Sequence, residues 1–509
     1  MEITSSNPAS RIINDAGSSA KRAGGVYNYG GTAEEGDHNR LINLVIHDLS
    51  GVGYGWHRGS GGEIYGTLIY NNGWVAPDRA HGHGIYTQNQ DGGVFQKRIV
   101  DNIVFNAFKE SVQLWGGPTA PLNNFLIEGN VIFNAGAGQG LDFKHGNELL
   151  IGGGPAHNNR VNNNHFYSQH SSGGLVQLGY GGSGDFDGLD LFDNYIVGQL
   201  IFPKPYANVD ARRNIVVGSV SGPAPSSGIE TVTSPSGQRV FVRPNQYESG
   251  RANIVVHNWD KASSVSVDLS EVLGIGSNYR VMHVYDFFGA PVVQGTYDGQ
   301  PVNIPMQARK APKAVGGGMG QCVTGPSDTW CFKEPTTLPA TFGAFVVLSD
   351  GCGDSNPPPP VEEITATRTL APVVIDGIMD ECAWSATAQK TFTNQAKSID
   401  NNVTFSALWN SDAVFSSAKV VDDSLEADAE KLFQDDGLEL YFDVDNSKST
   451  SLEDDDRQFK VNILGEASDA TLQVAVHETS TGYSMEVRIP WTTLGTSPAE
   501  GLRLGLLIG

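Results

Sequence analysis

Seven short segments in the first 220 residues each join a turn residue to a β-prone apolar run, and this repeat limits the possible folds most. They are Asn43-Leu-Val-Ile, Gly66-Thr-Leu-Ile, Asn102-Ile-Val-Phe, Asn130-Val-Ile-Phe, Asn164-His-Phe-Tyr, Asn194-Tyr-Ile-Val and Asn214-Ile-Val-Val, at steps of 20 to 36 residues. Such steps suit single turns of a parallel β-solenoid, with insertions looping out on one face. An asparagine amide both donates and accepts. Asparagines stacked at one corner can therefore bond one another and the buried turn backbone. With 62 glycines and only 17% charged residues, the chain suits many strands and tight turns and disfavours a helical bundle.

A second strand class lies between these segments and alternates with period two. It comprises Gly84-Ile-Tyr-Thr-Gln-Asn, Ser111-Val-Gln-Leu-Trp-Gly, Leu141-Asp-Phe-Lys-His-Gly and Val176-Gln-Leu-Gly-Tyr. Ile85, Thr87, Val112, Leu114, Leu141, Phe143, Val176 and Leu178 are expected to point inward. Tyr86, Gln88, Gln113, Trp115, Asp142, Lys144, Gln177 and Tyr180 then point outward, stacked from coil to coil.

From about residue 225 the pattern changes to VFVRPNQY, ANIVVHNW, SVSVDL, YRVMHVYDFFG and GAFVVLSD, strands separated by turn signals. The expected organisation is a β-solenoid over 1–222, an accessory β-sandwich over 223–352, a stiff Pro-rich linker over 353–362 and a strand-rich domain over 363–509. The net charge is −23, of which −15 falls on residues 363–509. That acidity argues against nucleic acid or an anionic membrane as partner. No apolar run reaches membrane-spanning length. EITSSNPAS after Met1 lacks the regions of a secretory signal, and GLRLGLLIG stops inside an apparent strand, so both ends are expected to be cut. Cys322 and Cys331 can close a loop in an oxidising compartment or stay as buried thiols.

The first 220 residues resemble the right-handed parallel β-helix superfamily, on the coil pattern and the asparagine repeat. The resemblance implies an all-β chain in which a β-helix precedes two sandwiches, and it implies polysaccharide lyases, glycosidases or tailspikes as functional kin. Gly82-His83-Gly84 shares its letters with a polygalacturonase motif. The aspartate pair and NTD expected upstream are missing and RIK does not follow, so that assignment is rejected. Residues 363–509 resemble a family 9 carbohydrate-binding module through VVIDGIMDECAW, FSALWNSDAVFSSAKVVDDSL, DDGLELYFDVDNS and TGYSMEVRIPWTTLG, in that order. This resemblance implies sugar held between aromatic rings, with structural calcium often present. Trp409 falls on the tryptophan of the ALW motif, and Arg457 and Gln458 fall where polar sugar contacts are placed. The acidic run LEDDDRQF, with Asp443 and Asp445, is either a solvated loop or a calcium site.

Stacked coils would bring His83, Tyr86, Gln113, Trp115, Asp142, Lys144 and His145 into one groove. His57 and His81 lie nearby in sequence, close to Trp56 and Trp74. The candidate catalytic residues are His83, Lys144, Asp142, Tyr86 and His145. The candidate sugar contacts are Gln88, Gln113, Trp115, Gln177 and Tyr180, with Trp409, Arg457 and Gln458 in the last domain. Elimination would use Lys144 or His83 as base and Tyr86 as acid. Hydrolysis would need Asp142 paired with Glu110 or Glu63. A non-catalytic glycan-binding adhesin is the third reading. The expected setting is extracellular or at the cell surface, with a monomeric chain acting on a poly- or oligosaccharide.

Overall fold

The computed structural model describes residues 1–5, 11–12, 25–28, 38–58, 61–89, 95–136, 146–169, 175–182, 185–316, 320–325, 329–332, 337–352, 366–369, 373–379, 381–385, 387, 389–392, 402–428, 431–449, 453–499 and 501–508. The chain is all-β, with parallel strands in its first part and antiparallel sheets after it. In the first part three strands make one coil, and each strand pairs in parallel with its counterparts in neighbouring coils. Three sheet faces result.

Face A stacks Val45–His47, Leu68–Tyr70, Ile103–Phe105, Val131–Phe133, His165–Tyr167 and the start of Tyr195–Ile201. Face B stacks Val26–Asn28, Tyr54–Trp56, Ile85–Thr87, Val112–Trp115, Leu149–Gly152 and Val176–Tyr180. Face C runs from Arg40–Ile42 through Glu63–Tyr65, Lys97–Val100, Phe125–Glu128, Ala156–Asn162 and Phe186–Phe192 to Ala207–Arg212. Ile46, Ile69, Val104, Ile132 and Phe166 from face A meet Ile85, Val112, Leu149 and Val176 from face B, and Ile64, Ile99, Ile127 and Val161 from face C. Strand Ile229–Val232 adds a parallel pair beyond Gly222.

The corner between faces C and A explains the asparagines. A left-handed residue comes first: Asn43, Gly66, Asp101, Gly129, Asn163, Asp193 or Arg213, each with φ between 52° and 67°. The next residue points inward. Asn130 Oδ1 accepts from both the backbone and side-chain nitrogens of Asn102, at 2.9 and 3.0 Å. Asn164, Asn194 and Asn214 repeat this bond coil after coil. Asn43 and Gly66 do not belong to this ladder. Register places them one residue early, at the left-handed position, so Leu44 and Thr67 take the ladder place. The Thr67 hydroxyl accepts from the Leu44 amide at 3.3 Å and continues the pattern partway.

The second part holds a five-stranded antiparallel sheet, in the order Gln238–Pro244, Ala252–Asn258, Phe342–Cys352, Ser277–His283, Val293–Thr296. One side of that sheet packs its own core with Val265, Val267, Val302 and Ile304 from a two-stranded pair. The other side lies on face A. Val255, Tyr285, Phe342, Ala344 and Val346 meet Leu68, Ile103, Phe105, Val131, Phe133 and Tyr167. Face A strands are therefore apolar on both sides, the usual mark of a doubly covered parallel sheet. Cys322 and Cys331 are joined in a disulfide, closing a hairpin whose Val323 and Trp330 pack on Val75 and Phe108.

The last part is a two-sheet sandwich. Its larger sheet contains Asn402–Trp409, Ala413–Val421, Gly482–Pro490 and Gln473–Thr479; the smaller contains Arg457–Asn462, Gly437–Asp443 and Gly505–Ile508. Phe405, Leu440, Phe442, Phe459, Met485 and Val487 fill the space between them. Buried Glu486 accepts from the amides of Asp376 and Gly377 and from the Trp384 indole, at 3.1, 2.9 and 2.7 Å. One carboxylate thus ties the Asp-Gly turn and the tryptophan of the first motif to the strand of the fourth. Burial pushes the Glu486 carboxyl up, against these three donors.

Candidate functional site

Covering face A leaves face B as the long side of the coils with outward polar and aromatic residues. Inward Ile85, Thr87, Val112, Leu114, Val176 and Leu178 are fully buried, as the alternation predicts. Outward Tyr86, Gln113, Trp115 and Gln177 are half-buried, and Tyr180 is 44% exposed. Gln88 follows the strand end, where its carbonyl accepts from the buried Lys97 ammonium at 2.8 Å.

One expected coil is placed differently. The strand between Val112–Trp115 and Val176–Tyr180 is Leu149–Gly152, not the Leu141–Gly146 stretch. Leu150 holds the outward place between Gln113 and Gln177 and is 3% exposed. Its run Leu-Leu-Ile-Gly does not alternate, so period two passed over it. Asp142, Lys144 and His145 lie outside the described residues.

His83 sits at the corner that leads into face B. The carbonyls of Gly82 and His83 accept from the amides of Lys109 and Gly53, at 2.9 and 2.8 Å, so neighbouring coils clamp the corner. A Cβ on Gly82, where φ is +92°, would stand 2.2 Å from Gly73 Cα, and one on Gly84 would stand 2.4 Å from Val104. Both glycines are therefore required by packing, and the His83 side chain between them is 16% exposed. The His83 ring lies 5.0 Å from the Tyr86 ring, whose edge meets His57 at 4.8 Å. Glu110 occupies the equivalent corner one coil on, with Oε2 3.1 Å from His83 Nδ1 and Oε1 3.2 Å from Lys109 Nζ. Burial pushes the Glu110 carboxyl up, but His83 and Lys109 outweigh it and hold it below the usual carboxylate range. The other hydrolytic carboxylate, Glu63, lies on face C, bound to Arg98 and Tyr247. His81 and Trp74 stack on each other in the interior, and Trp56 points inward.

Farther along face B, Trp115 and Tyr180 form an aromatic pair with ring centroids 6.1 Å apart. A Cβ on Gly153 would strike the indole at 2.7 Å, and one on Gly181 would stand 3.3 Å from it. Glycines thus form the floor on which the indole lies.

In the last domain the three expected sugar contacts are not brought together. Trp409 shares the inward parity of Phe405 and Ala407; Trp491 meets its ring at 6.3 Å and the Arg368 guanidinium stands 5.4 Å over it. Arg457 and Gln458 are neighbours in one strand and point to opposite sides of it. Arg457 donates to the carbonyls of Asp454 and Asp456. Gln458 is exposed and its amide donates to the Tyr441 hydroxyl at 2.6 Å, beside Glu439 and Lys460 on the outer side of the smaller sheet. The acidic run forms two carboxylate groups, Asp443 with Asp455 and Asp456, and Asp445 with Glu453 and Asp455. Each offers ligand oxygens within 4.8 Å of one another.

Comparison with known proteins bears on this last domain. Residues 375–508 match the family described as Carbohydrate family 9 binding domain-like. Endo-1,4-beta-xylanase A of Thermotoga neapolitana is 33% identical over 144 residues, covering 26% of this chain and 14% of that protein. Endo-1,4-beta-xylanase A of Thermoanaerobacterium saccharolyticum is 29% identical over 146 residues, 28% of this chain and 12% of that protein. The chain thus spans about a seventh of the length of these relatives. A solved family 9 carbohydrate-binding module from Caldicellulosiruptor kristjanssonii, in complex with glucose, is 22% identical over 28% of this chain and 74% of that chain, with a TM-score of 0.25. Among the described residues no helix is long and apolar enough to cross a membrane.

Proposed function

We propose that this chain is an extracellular polysaccharide-processing protein of the parallel β-helix type. Face B receives the sugar chain, and the C-terminal domain holds the protein on a carbohydrate surface. The observation that carries this reading is the row of His83, Tyr86, Gln113, Trp115 and Tyr180 along face B, half-buried except for the exposed Tyr180, with the indole lying on a glycine floor. Partly exposed rings and amides in line suit the alternating C–H faces and hydroxyls of a glycan. Coil spacing of about 4.8 Å lets successive coils touch successive sugars. Near His83 the one corner carboxylate among the described residues, Glu110, faces the His83 imidazole with one oxygen and the Lys109 ammonium with the other. That favours elimination, with an imidazole base and Tyr86 as proton donor, over hydrolysis by two carboxylates.

The test is a polysaccharide panel that includes xylan, β-glucan and uronate-containing polymers, read for reducing ends and for unsaturated product. Cleavage with unsaturated ends is expected, and Trp115→Ala should weaken soluble-polymer binding by about 1 kcal/mol, roughly five-fold. Binding without cleavage would make the chain an adhesin. The carboxylate groups around Asp443 and Asp455 fit calcium, which takes several hard oxygens from a loop. Chelator treatment should lower the melting temperature of the C-terminal domain, and added calcium should restore it.

A further inference from the structure

His83 and Glu110 occupy equivalent corners of adjacent coils, because Ile85 pairs with Val112. Parallel stacking sets such corners about 4.8 Å apart along the stack, so the two side chains meet whatever loops intervene. Glu110 is 4% exposed, yet its carboxylate is held in the anionic form between Lys109 and His83. Nδ1 and Oε2 stand at ion-pair distance, 3.1 Å, without forming a well-aligned hydrogen bond to each other or to another group. Catalytic contacts are often loose in this way before a ligand is present. A buried anion facing a ring nitrogen stabilises the tautomer with hydrogen on that nitrogen. Nε2 is then the nitrogen left with a lone pair.

We infer that Glu110 is a positioning residue: it fixes His83 as the Nδ1–H tautomer, so that His83 Nε2 takes a proton from the sugar chain bound on face B. In that step a substrate C–H or O–H bond breaks and an Nε2–H bond forms. The electron pair stays with the substrate, and the new positive charge on the imidazole faces the Glu110 carboxylate. The groups around the ring are Glu110 and Lys109 from the next corner, Tyr86 from its own strand, and His57, across Tyr86, from the preceding coil. The tautomer does not depend on the polysaccharide reading; the proton acceptor role does.

The experiment is a nitrogen-15 histidine NMR titration of the full chain, with His83 assigned by loss of its signals in His83→Ala. The wild type should give the Nδ1–H pattern. Glu110→Gln should add Nε2–H tautomer to that pattern, since the anion that selects Nδ1–H is gone, and Lys109→Met, which leaves Glu110 in place, should keep the Nδ1–H pattern. A role for Glu110 in packing alone would change melting and leave the tautomer unmoved. An Nε2–H pattern in the wild type, or an Nδ1–H pattern unchanged in folded Glu110→Gln, overturns the assignment. If Glu110→Gln fails to fold, Glu110→Asp, which draws the carboxylate back from the ring, takes its place and should show the same gain of Nε2–H tautomer. With an active substrate, Glu110→Gln should reduce kcat at least ten-fold with little change in KM; an Nδ1–H pattern with no cleavage of any polymer would retain the positioning and remove the polysaccharide reaction.

Discussion

The carboxyl of Glu148 lies inside the coil stack, one coil on from Ser111, and accepts from the Ser111 hydroxyl and the Ala135 amide, both at 3.0 Å. Burial outweighs these donors and pushes its pKa up to about 8. Because the folded value is raised, the folded state favours the protonated form. Stability from this group is full below the ordinary glutamate range and is lost as pH rises toward about 8. Glu148→Gln keeps the shape and cannot ionise. Its melting temperature relative to the parent should climb between pH 5 and pH 8, with a gain on the order of 2 kcal/mol at the upper end. A constant difference across that range would show that Glu148 is not buried as an acid. The same corner one and two coils earlier carries Ser111 and Gly84, so one structural position serves hydroxyl, carboxyl and bare backbone in turn.

At the scale of elements, the ladder is a stack of identical bonds, and each asparagine satisfies the coil before it. Asn130→Ala would strip Asn102 of its acceptor and leave the Ile99 and Glu128 carbonyls without the Asn130 amide. A loss of about 1–3 kcal/mol is expected in chemical denaturation; an unchanged midpoint would contradict the buried ladder. This element was legible because its signal is a residue type at a recurrent place before a β-branched run. The slip at Asn43 has a physical cause: asparagine also suits the left-handed residue one position earlier, so the letter alone cannot choose between the two places. Strand Leu149–Gly152 was not legible because its Leu150 is buried on the outer side too, which erases the alternation. His83 was legible from its glycines. Its link to Glu110 was not, although counting back two residues from Ile85 and from Val112 reaches both. The C-terminal motifs could be read for fold, since Glu486 physically joins two of them. They do not by themselves name the ligand face, because the ALW tryptophan is half-buried, with its ring against Trp491 on one side and Arg368 over it.

For the whole molecule, the five-stranded sheet docked on face A covers that side of the coils, and its seam should be sensitive to acid. His165 of face A and His257 of the five-stranded sheet lie 5.8 Å apart in a nest with Tyr195, Phe241 and Phe342. Burial first, then Arg243, lowers the His165 pKa to about 3. Burial, His165 and Arg239 hold His257 well below its ordinary value. The charged groups nearby are Arg239 and Arg243, the latter already paired with Asp101 at 2.7 Å, so no free carboxylate among the described residues offsets a new imidazolium there. The folded values are depressed, so both rings are neutral in the native seam. Their stabilising contribution is present above the unfolded histidine pKa and is lost as pH falls below about 6.5. Each histidine should cost about 2 kcal/mol by pH 5. His257 makes no hydrogen bond through either ring nitrogen, so His257→Phe removes the titration without stranding a partner. The slight overpacking shifts the baseline of that variant at every pH, and the slope is the informative quantity. Between pH 7 and pH 5 the wild-type melting temperature should fall more steeply than that of the variant, in which His165 and the likewise buried His283 still titrate. Equal slopes would place the acid-sensitive groups elsewhere and leave the seam indifferent to protons.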